Sequence, residues 1–157
     1  MTPHGGFRNR ITPDSFIQED FGNGIIRAPK DTLIDGMSVL TFAISRPPKS
    51  IQQIIDDYHI DVNADIDYFL IHQANKLIVD RVVKKLKLPI EKVPYDLEEF
   101  GNLGGASIPS LMVTRIAEPM RKKQPIKMLC SSFGLGLSWG TMIITAKNVV
   151  IPELIEI

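Results

Sequence analysis

The feature that most restricts how this chain can fold lies near its C-terminus. Two apolar segments, IKMLCSS (126–132) and SWGTMIITA (138–146), flank the glycine turn FGLGL. Glycine supplies the positive φ that tight turns need, so the segments read as two strands joined in a hairpin. Upstream, the pattern changes to helical spacing. Ile51, Ile54, Ile55 and Tyr58 recur at i, i+3, i+4 and i+7, with Asp56 and Asp57 turned outward. Val39, Leu40, Phe42, Ala43 and Ile44 form a dense apolar stretch, read as a buried helix that Pro47 and Pro48 interrupt. DYFLIH (67–72) reads as a short buried strand ending on a histidine. Helical spacing returns over 74–87 through Leu77, Ile78, Val82 and Leu86. A polar connection follows Pro89, and a third helix runs from Ile108 to Met120, with Pro119 expected to stop it near its end. KKQP is a polar turn. Helix, strand, helix, helix and two adjacent strands make a layered α/β domain with a mixed sheet and packed helices.

The ends differ from this middle. Residues 1–33 are punctuated by Pro3, Gly5, Gly6, Pro13, Gly22, Gly24 and Pro29, with isolated apolar residues. So long a stretch without periodicity is unusual in a compact domain, so it either packs against something outside this chain or is mobile. The expected organisation is an irregular segment 1–33, a domain 34–148 and an apolar tail 149–157 broken by Pro152.

Composition narrows the function. Lys plus Arg and Asp plus Glu are each 18 in 157 residues, so the net charge is zero. Such a chain has no general attraction for nucleic acid or an acidic membrane. The single cysteine, Cys130, excludes an internal disulfide and a cysteine-built zinc site. His4, His59 and His72 are too scattered for a metal motif, and no metal or cofactor is expected. No apolar run reaches the roughly 18–20 residues needed to span a bilayer, so a soluble, cytoplasmic, reducing setting is expected.

Three motifs carry chemistry. His72-Gln73-Ala74-Asn75 sits where a buried strand meets a helix, and ligand sites in open α/β sheets form at the carboxyl ends of strands. His72 is there either a rigid ligand-facing group or a core or capping histidine. Gly101-Asn102-Leu103-Gly104-Gly105-Ala106-Ser107-Ile108-Pro109 allows close backbone approach and lets Asn102 present an amide donor. It is equally readable as a glycine-rich turn capped before a helix. Phe133-Gly134-Leu135-Gly136-Leu137-Ser138-Trp139-Gly140 is, by itself, a hairpin turn.

In this order and spacing, the three motifs resemble the C-terminal half of the 3-oxoacyl-[acyl-carrier-protein] synthase III family, condensing enzymes of the thiolase-like superfamily. The family shows HQAN, then GN-x-x-x-ASIP, then FG-x-G-x-x-WG. IDGMSVLTFAI (34–44) and DIDYFLIHQAN (65–75) also resemble family segments, and the similarity runs from about Gly5 to Ala146. The resemblance implies the C-terminal half of a thiolase-like fold, in which two βαβαβαββ halves pack as a five-layered sandwich. This chain is expected to carry most of the second half without its opening strand. It implies decarboxylative condensation of an acyl thioester, delivered as acyl-CoA, with malonyl-acyl carrier protein. His72 Nε2 and Asn102 Nδ2 are then the donors to the thioester enolate. Phe133 shields the pocket, and Gly134, Leu135 and Gly136 form the oxyanion loop. Leu135 stands where some relatives have glycine, a change that a backbone donor survives.

The family's nucleophilic cysteine belongs to the N-terminal half, so this chain alone is expected to be inactive. Cys130, inside an apolar strand, reads as a small hydrophobe. The expected partners are acyl carrier protein, a cysteine-bearing N-terminal half and a second copy of the chain, with no nucleic acid and no membrane. Lys76, Arg81, Lys84 and Lys85 are the expected carrier-docking residues, or else a solvated helix face. Leu77, where relatives often carry arginine, departs from the pattern. The alternative reading is a non-catalytic module that binds acyl carrier protein, CoA or another chain. A plant-type polyketide synthase relative is a third reading, less favoured by HQAN with FGxGxxWG. Fatty acid, polyketide and polysaccharide routes stay open, as does acyl-chain length.

Overall fold

A computed structural model describes residues 4–122 and 124–155. Residues 1–3 of the expected irregular segment, Lys123 of the polar turn and residues 156–157 of the expected tail lie outside the described residues. The chain divides into two compact units, Met1–Val39 and Leu40–Ile157.

The first unit is more ordered than its composition suggests. A 3-10 turn, Pro13–Phe16, opens on proline, and the Thr12 amide donates to Ser15 Oγ at 2.9 Å. Two short strands, β1 (Glu19–Asp20) and β2 (Ile26–Arg27), pair antiparallel, and the Arg27 guanidinium lies 4.3 Å from the Phe21 ring centroid. The boundary between the units falls within helix α1 (Gly36–Ala43).

In the second unit α2 (Arg46–Asp57) starts at once. Pro47 and Pro48 therefore open a helix rather than merely interrupting one. Proline is tolerated in the first turn, where its missing N–H has no acceptor to satisfy. Strand β3 (Tyr68–Ile71) leads through the HQAN turn into α3 (Lys76–Leu86). The connection after Pro89 contains a 3-10 turn (Ile90–Lys92) and the short α4 (Leu97–Phe100). The expected third helix is two pieces, α5 (Ser107–Thr114) and α6 (Ala117–Arg121). Pro119 is the cause, because a continuous helix would set its ring against the carbonyl four residues earlier. Breaking the helix at Arg115–Ile116 puts the proline in a first turn instead. Strand β4 (Ile126–Gly134), a 3-10 turn (Leu135–Leu137) and β5 (Ser138–Ala146) form the expected hairpin, and Ile151 of the tail packs on the core beyond it.

The sheet order is β3-β4-β5, with β3 parallel and β5 antiparallel to β4. Alternate side chains divide between two cores. Phe69, Ile71 and Leu129 pack with Ile51 of α2 and with Val79 and Val82 of α3. Leu70, Met128 and Cys130 pack with Leu111 of α5 and with Ile116 and Met120. Helices therefore cover both faces, which is why DYFLIH reads as a continuous apolar run.

Phe69 is fully buried. Phe69→Ala is expected to lower stability by about 3–5 kcal/mol in urea unfolding. Val150→Ala, at an exposed position, should stay within about 0.5 kcal/mol.

Candidate functional site

Each residue of the HQAN turn has a separate structural task. His72 follows the last residue of β3, and its amide donates to Ser131 O at 2.9 Å, carrying the β3–β4 ladder one step further. Gln73 is buried, and its Nε2 donates to Ile71 O at 2.7 Å. Ala74 packs against the cluster formed by Phe42, Ala43, Ile78 and Phe133. Asn75 caps α3, its Oδ1 accepting from the Leu77 amide at 2.8 Å.

The His72 ring is 6% exposed and stands edge-on to Phe133, with centroids 4.9 Å apart at 89°. The register Ile71↔Ser131 places both residues at the same end of parallel strands. His72 Nδ1 is buried without a hydrogen-bond partner. An orphaned N–H is rarer in buried protein than an unused lone pair, so the proton belongs on Nε2. Burial also holds the pKa of His72 below its ordinary value of 6.5. The group is thus a neutral imidazole with Nε2 as donor.

Asn102 lies between two glycines in left-handed conformations, Gly101 at φ 64° and Gly104 at φ 58°. The Gly101 amide closes α4 on Leu97 O at 3.0 Å, and the Gly104 amide donates to Asn102 Oδ1 at 2.9 Å. Because a backbone N–H can meet only the amide's oxygen, this bond fixes which end is which and leaves Nδ2 free to donate. Among the described residues no hydrogen bond joins Asn102 to His72. Its loop alone holds it.

Phe133, near the end of β4, is buried, and Leu135, in the turn that follows, is exposed. Gly134 pairs with Ser138, Gly136 takes φ 101°, and Ser138 Oγ donates to Leu135 O at 2.8 Å. Phe133 and Trp139 are cross-strand partners. Both rings meet Phe42 of α1 edge-on, at 6.1 Å and 5.5 Å. The structure thus brings His72 and Phe133 together and adds Phe42, of which the sequence showed only the apolar character.

The basic residues of α3 do not form one patch. At roughly 100° per residue, Lys76 and Lys85 fall on opposite edges of the exposed surface. Lys76 pairs with Glu98 at 2.7 Å, and Lys85 Nζ donates to Ile44 O at 3.1 Å. Arg81 and Lys84 are exposed between them. Lys84 and Lys85 also sit in the last turn, where cations complement the helix dipole. Cys130 is buried in the core that includes Leu70, and burial pushes its thiol up to about 11. A thiol so held is not a thiolate at neutral pH.

Two surface clefts lie elsewhere. One of 380 Å³ is lined by Lys76, Asp80, Ile90, Tyr95, Glu98 and Arg115. The other, of 670 Å³, is lined by Ile54, Tyr58 and Met142 among others. Among the described residues no group of three or more His, Cys, Asp or Glu could hold a metal ion, and no helix is long and apolar enough to cross a membrane.

Residues 62–146 match the family described as the C terminal of 3-oxoacyl-[acyl-carrier-protein (ACP)] synthase III. The chain is 37% identical over 145 residues to a beta-ketoacyl-[acyl-carrier-protein] synthase III of Streptococcus pneumoniae, covering 90% of this chain and 39% of that protein. The chain therefore spans about two fifths of the length of the curated relatives it matches. A crystal structure of a 3-oxoacyl-(acyl-carrier-protein) synthase III superposes with a TM-score of 0.78 at 24% identity, over 92% of this chain and 42% of that one. A 3-oxoacyl-(acyl-carrier protein) synthase from Burkholderia xenovorans superposes with a TM-score of 0.74 at 29% identity, over 81% and 36%.

The neutral state of His72 predicts a pH dependence. The unfolded chain takes up the proton near pH 6.5, before the folded chain does. Stability contributed by the neutral ring is then complete above pH 6.5 and falls as the pH drops from there through the lower folded value. Urea midpoints measured across this range should decline on the acid side, and His72→Gln should flatten that decline. Nitrogen-15 shifts of the ring should report the Nε2–H tautomer.

Proposed function

The chain belongs to the family of 3-oxoacyl-[acyl-carrier-protein] synthase III C-terminal domains, and from that premise we propose that it supplies the enolate-stabilising part of a condensing site. The reaction is the joining of an acyl thioester to malonyl-acyl carrier protein with loss of carbon dioxide. The C–C bond to the malonyl carboxylate breaks, carbon dioxide leaves, and the electron pair passes to the thioester as an enolate. His72 Nε2–H and Asn102 Nδ2–H donate to its oxygen. The enolate carbon then attacks an acyl group carried on a cysteine. A new C–C bond forms, the C–S bond breaks, and the thiolate departs. Fixed donors in a dry site stabilise such charge without having to reorganise.

The observation that carries this reading is the neutral, buried imidazole of His72, its Nε2 left to donate, set against Phe133 at the carboxyl end of β3. A charged histidine would be a proton source able to quench the carbanion; a neutral one is a donor that keeps its proton. Phe133 shields the pocket from water, and the Gly134–Gly136 segment offers backbone N–H groups to the second carbonyl. The nucleophile is a cysteine from a separate polypeptide segment, since Cys130 is held as a buried thiol. Acyl carrier protein docks on the exposed cations of α3. Among the described residues Arg81 and Lys84 make no side-chain hydrogen bond or ion pair, and Lys76 is held by an exposed ion pair of the kind worth about 0–1 kcal/mol. Lys85, bonded to the Ile44 carbonyl, is the least available of the four.

Mixing the chain with a cysteine-bearing N-terminal polypeptide from a relative tests the reading. Malonyl-dependent release of carbon dioxide and formation of a 3-oxoacyl product should appear only in the mixture. His72→Ala and Asn102→Ala should each lower that rate by about 10²–10³-fold. Binding of carrier protein with no product from any such mixture would favour a non-catalytic module instead.

Docking is tested separately by reversing two charges. Arg81→Glu with Lys84→Glu should raise KM for the carrier-borne malonyl group and weaken its salt dependence. The rate with malonyl-CoA should not change. Equal effects on both donors would remove α3 from the docking surface.

A further inference from the structure

Histidines that must present one ring nitrogen are ordinarily aligned by a hydrogen bond to the other. His72 has no such bond, because its Nδ1 is buried and unpartnered. The terminal torsion of a histidine is broad, so rotation of this ring is limited only by what packs against it. Among the rings that pack against it is Phe133, edge-on at 4.9 Å and 89°. Phe133 has the same soft terminal torsion and needs a stop of its own. Phe42 provides one, edge-on to Phe133 at 6.1 Å and 73°, and edge-on to Trp139 at 5.5 Å and 70°. Phe133 and Trp139 are paired across β4 and β5, so Phe42 bears on both strands at once. Phe42 and Phe133 are each 9% exposed and Trp139 47%, and Phe42 is the ring that meets both of the others.

We propose that Phe42 is a positioning residue for His72: by wedging against Phe133 and Trp139 it fixes the plane in which the imidazole presents Nε2. The geometric part stands on the ring contacts, and only its catalytic consequence rests on the proposed donor role of His72. Edge-to-face pairs have directional preferences that an aliphatic side chain does not reproduce. Replacing the Phe42 ring with leucine removes the flat stop, and Phe133 and His72 gain a second orientation.

The test uses the chain labelled with carbon-13 and nitrogen-15 in histidine, with His72 assigned by His72→Gln. Phe42→Leu should shift and broaden the His72 ring signals while leaving those of His4 and His59 in place. Phe42→Tyr, which keeps the ring, should restore them. Leu40→Ala, packed against the same cluster from the same helix, should lower the melting temperature without moving His72. A Phe42→Leu chain that melts earlier but keeps its His72 signals unchanged would falsify the proposal. If Phe42→Leu does not fold, Trp139→Leu carries the test. A smaller shift of the His72 signals supports positioning, and no shift overturns it. In the mixture with a cysteine-bearing polypeptide, Phe42→Leu should lower kcat and leave KM unchanged. Shifted ring signals with an unaltered kcat would uphold the positioning role and remove His72 from the chemistry.

Discussion

The parallel pairing of β3 with β4 is the constraint on which the rest depends. Both strands are buried on both faces, and their alternate residues serve different cores. A slip of one residue would send Phe69 and Ile71 to the face built for Leu70, so the register is strongly specified. The same register sets Ile71 beside Ser131 and brings His72 level with the approach to Phe133. Packing energy and site geometry are therefore fixed by one set of backbone hydrogen bonds.

The chemistry divides along this frame. The dry end of β3 holds a ring that is kept neutral by burial, while an exposed loop holds the amide of Asn102. Burial moves Cys130 the other way in pKa, up to about 11, and leaves it a neutral thiol. One physical cause, the cost of charging a group away from water, keeps both the histidine and the cysteine neutral.

Local pattern carried a large part of this into the sequence. The β4–β5 hairpin needs only two apolar runs and a glycine turn, and SWGTMIITA coincides with β5. The strand-to-helix step at HQAN is marked by a change of period, and the apolar face of α2 by its spacing. Other features depended on contacts far apart in the chain. Nothing near Phe42 signals that it meets Phe133 and Trp139. Lys85 reads as a free surface cation until Ile44 O is seen in its reach. The prolines were legible as breaks but not as positions. Pro47, Pro48 and Pro119 each fall in an opening turn, and proline chemistry alone does not say which side of the break the new helix starts on. The expected irregular opening contains a 3-10 turn and a short strand pair, both too small to leave a periodic trace.

Gly101 and Gly104, on either side of Asn102, have an effect that size alone conceals. A Cβ added at either would meet no atom within 4 Å, so alanine fits the available room. The obstacle is torsional, because both backbones sit where L-residues are disfavoured. The placing of the Asn102 amide thus depends on two neighbours that act through their backbones and have no side chain to remove. A mutational survey that only truncates side chains would pass over both of them.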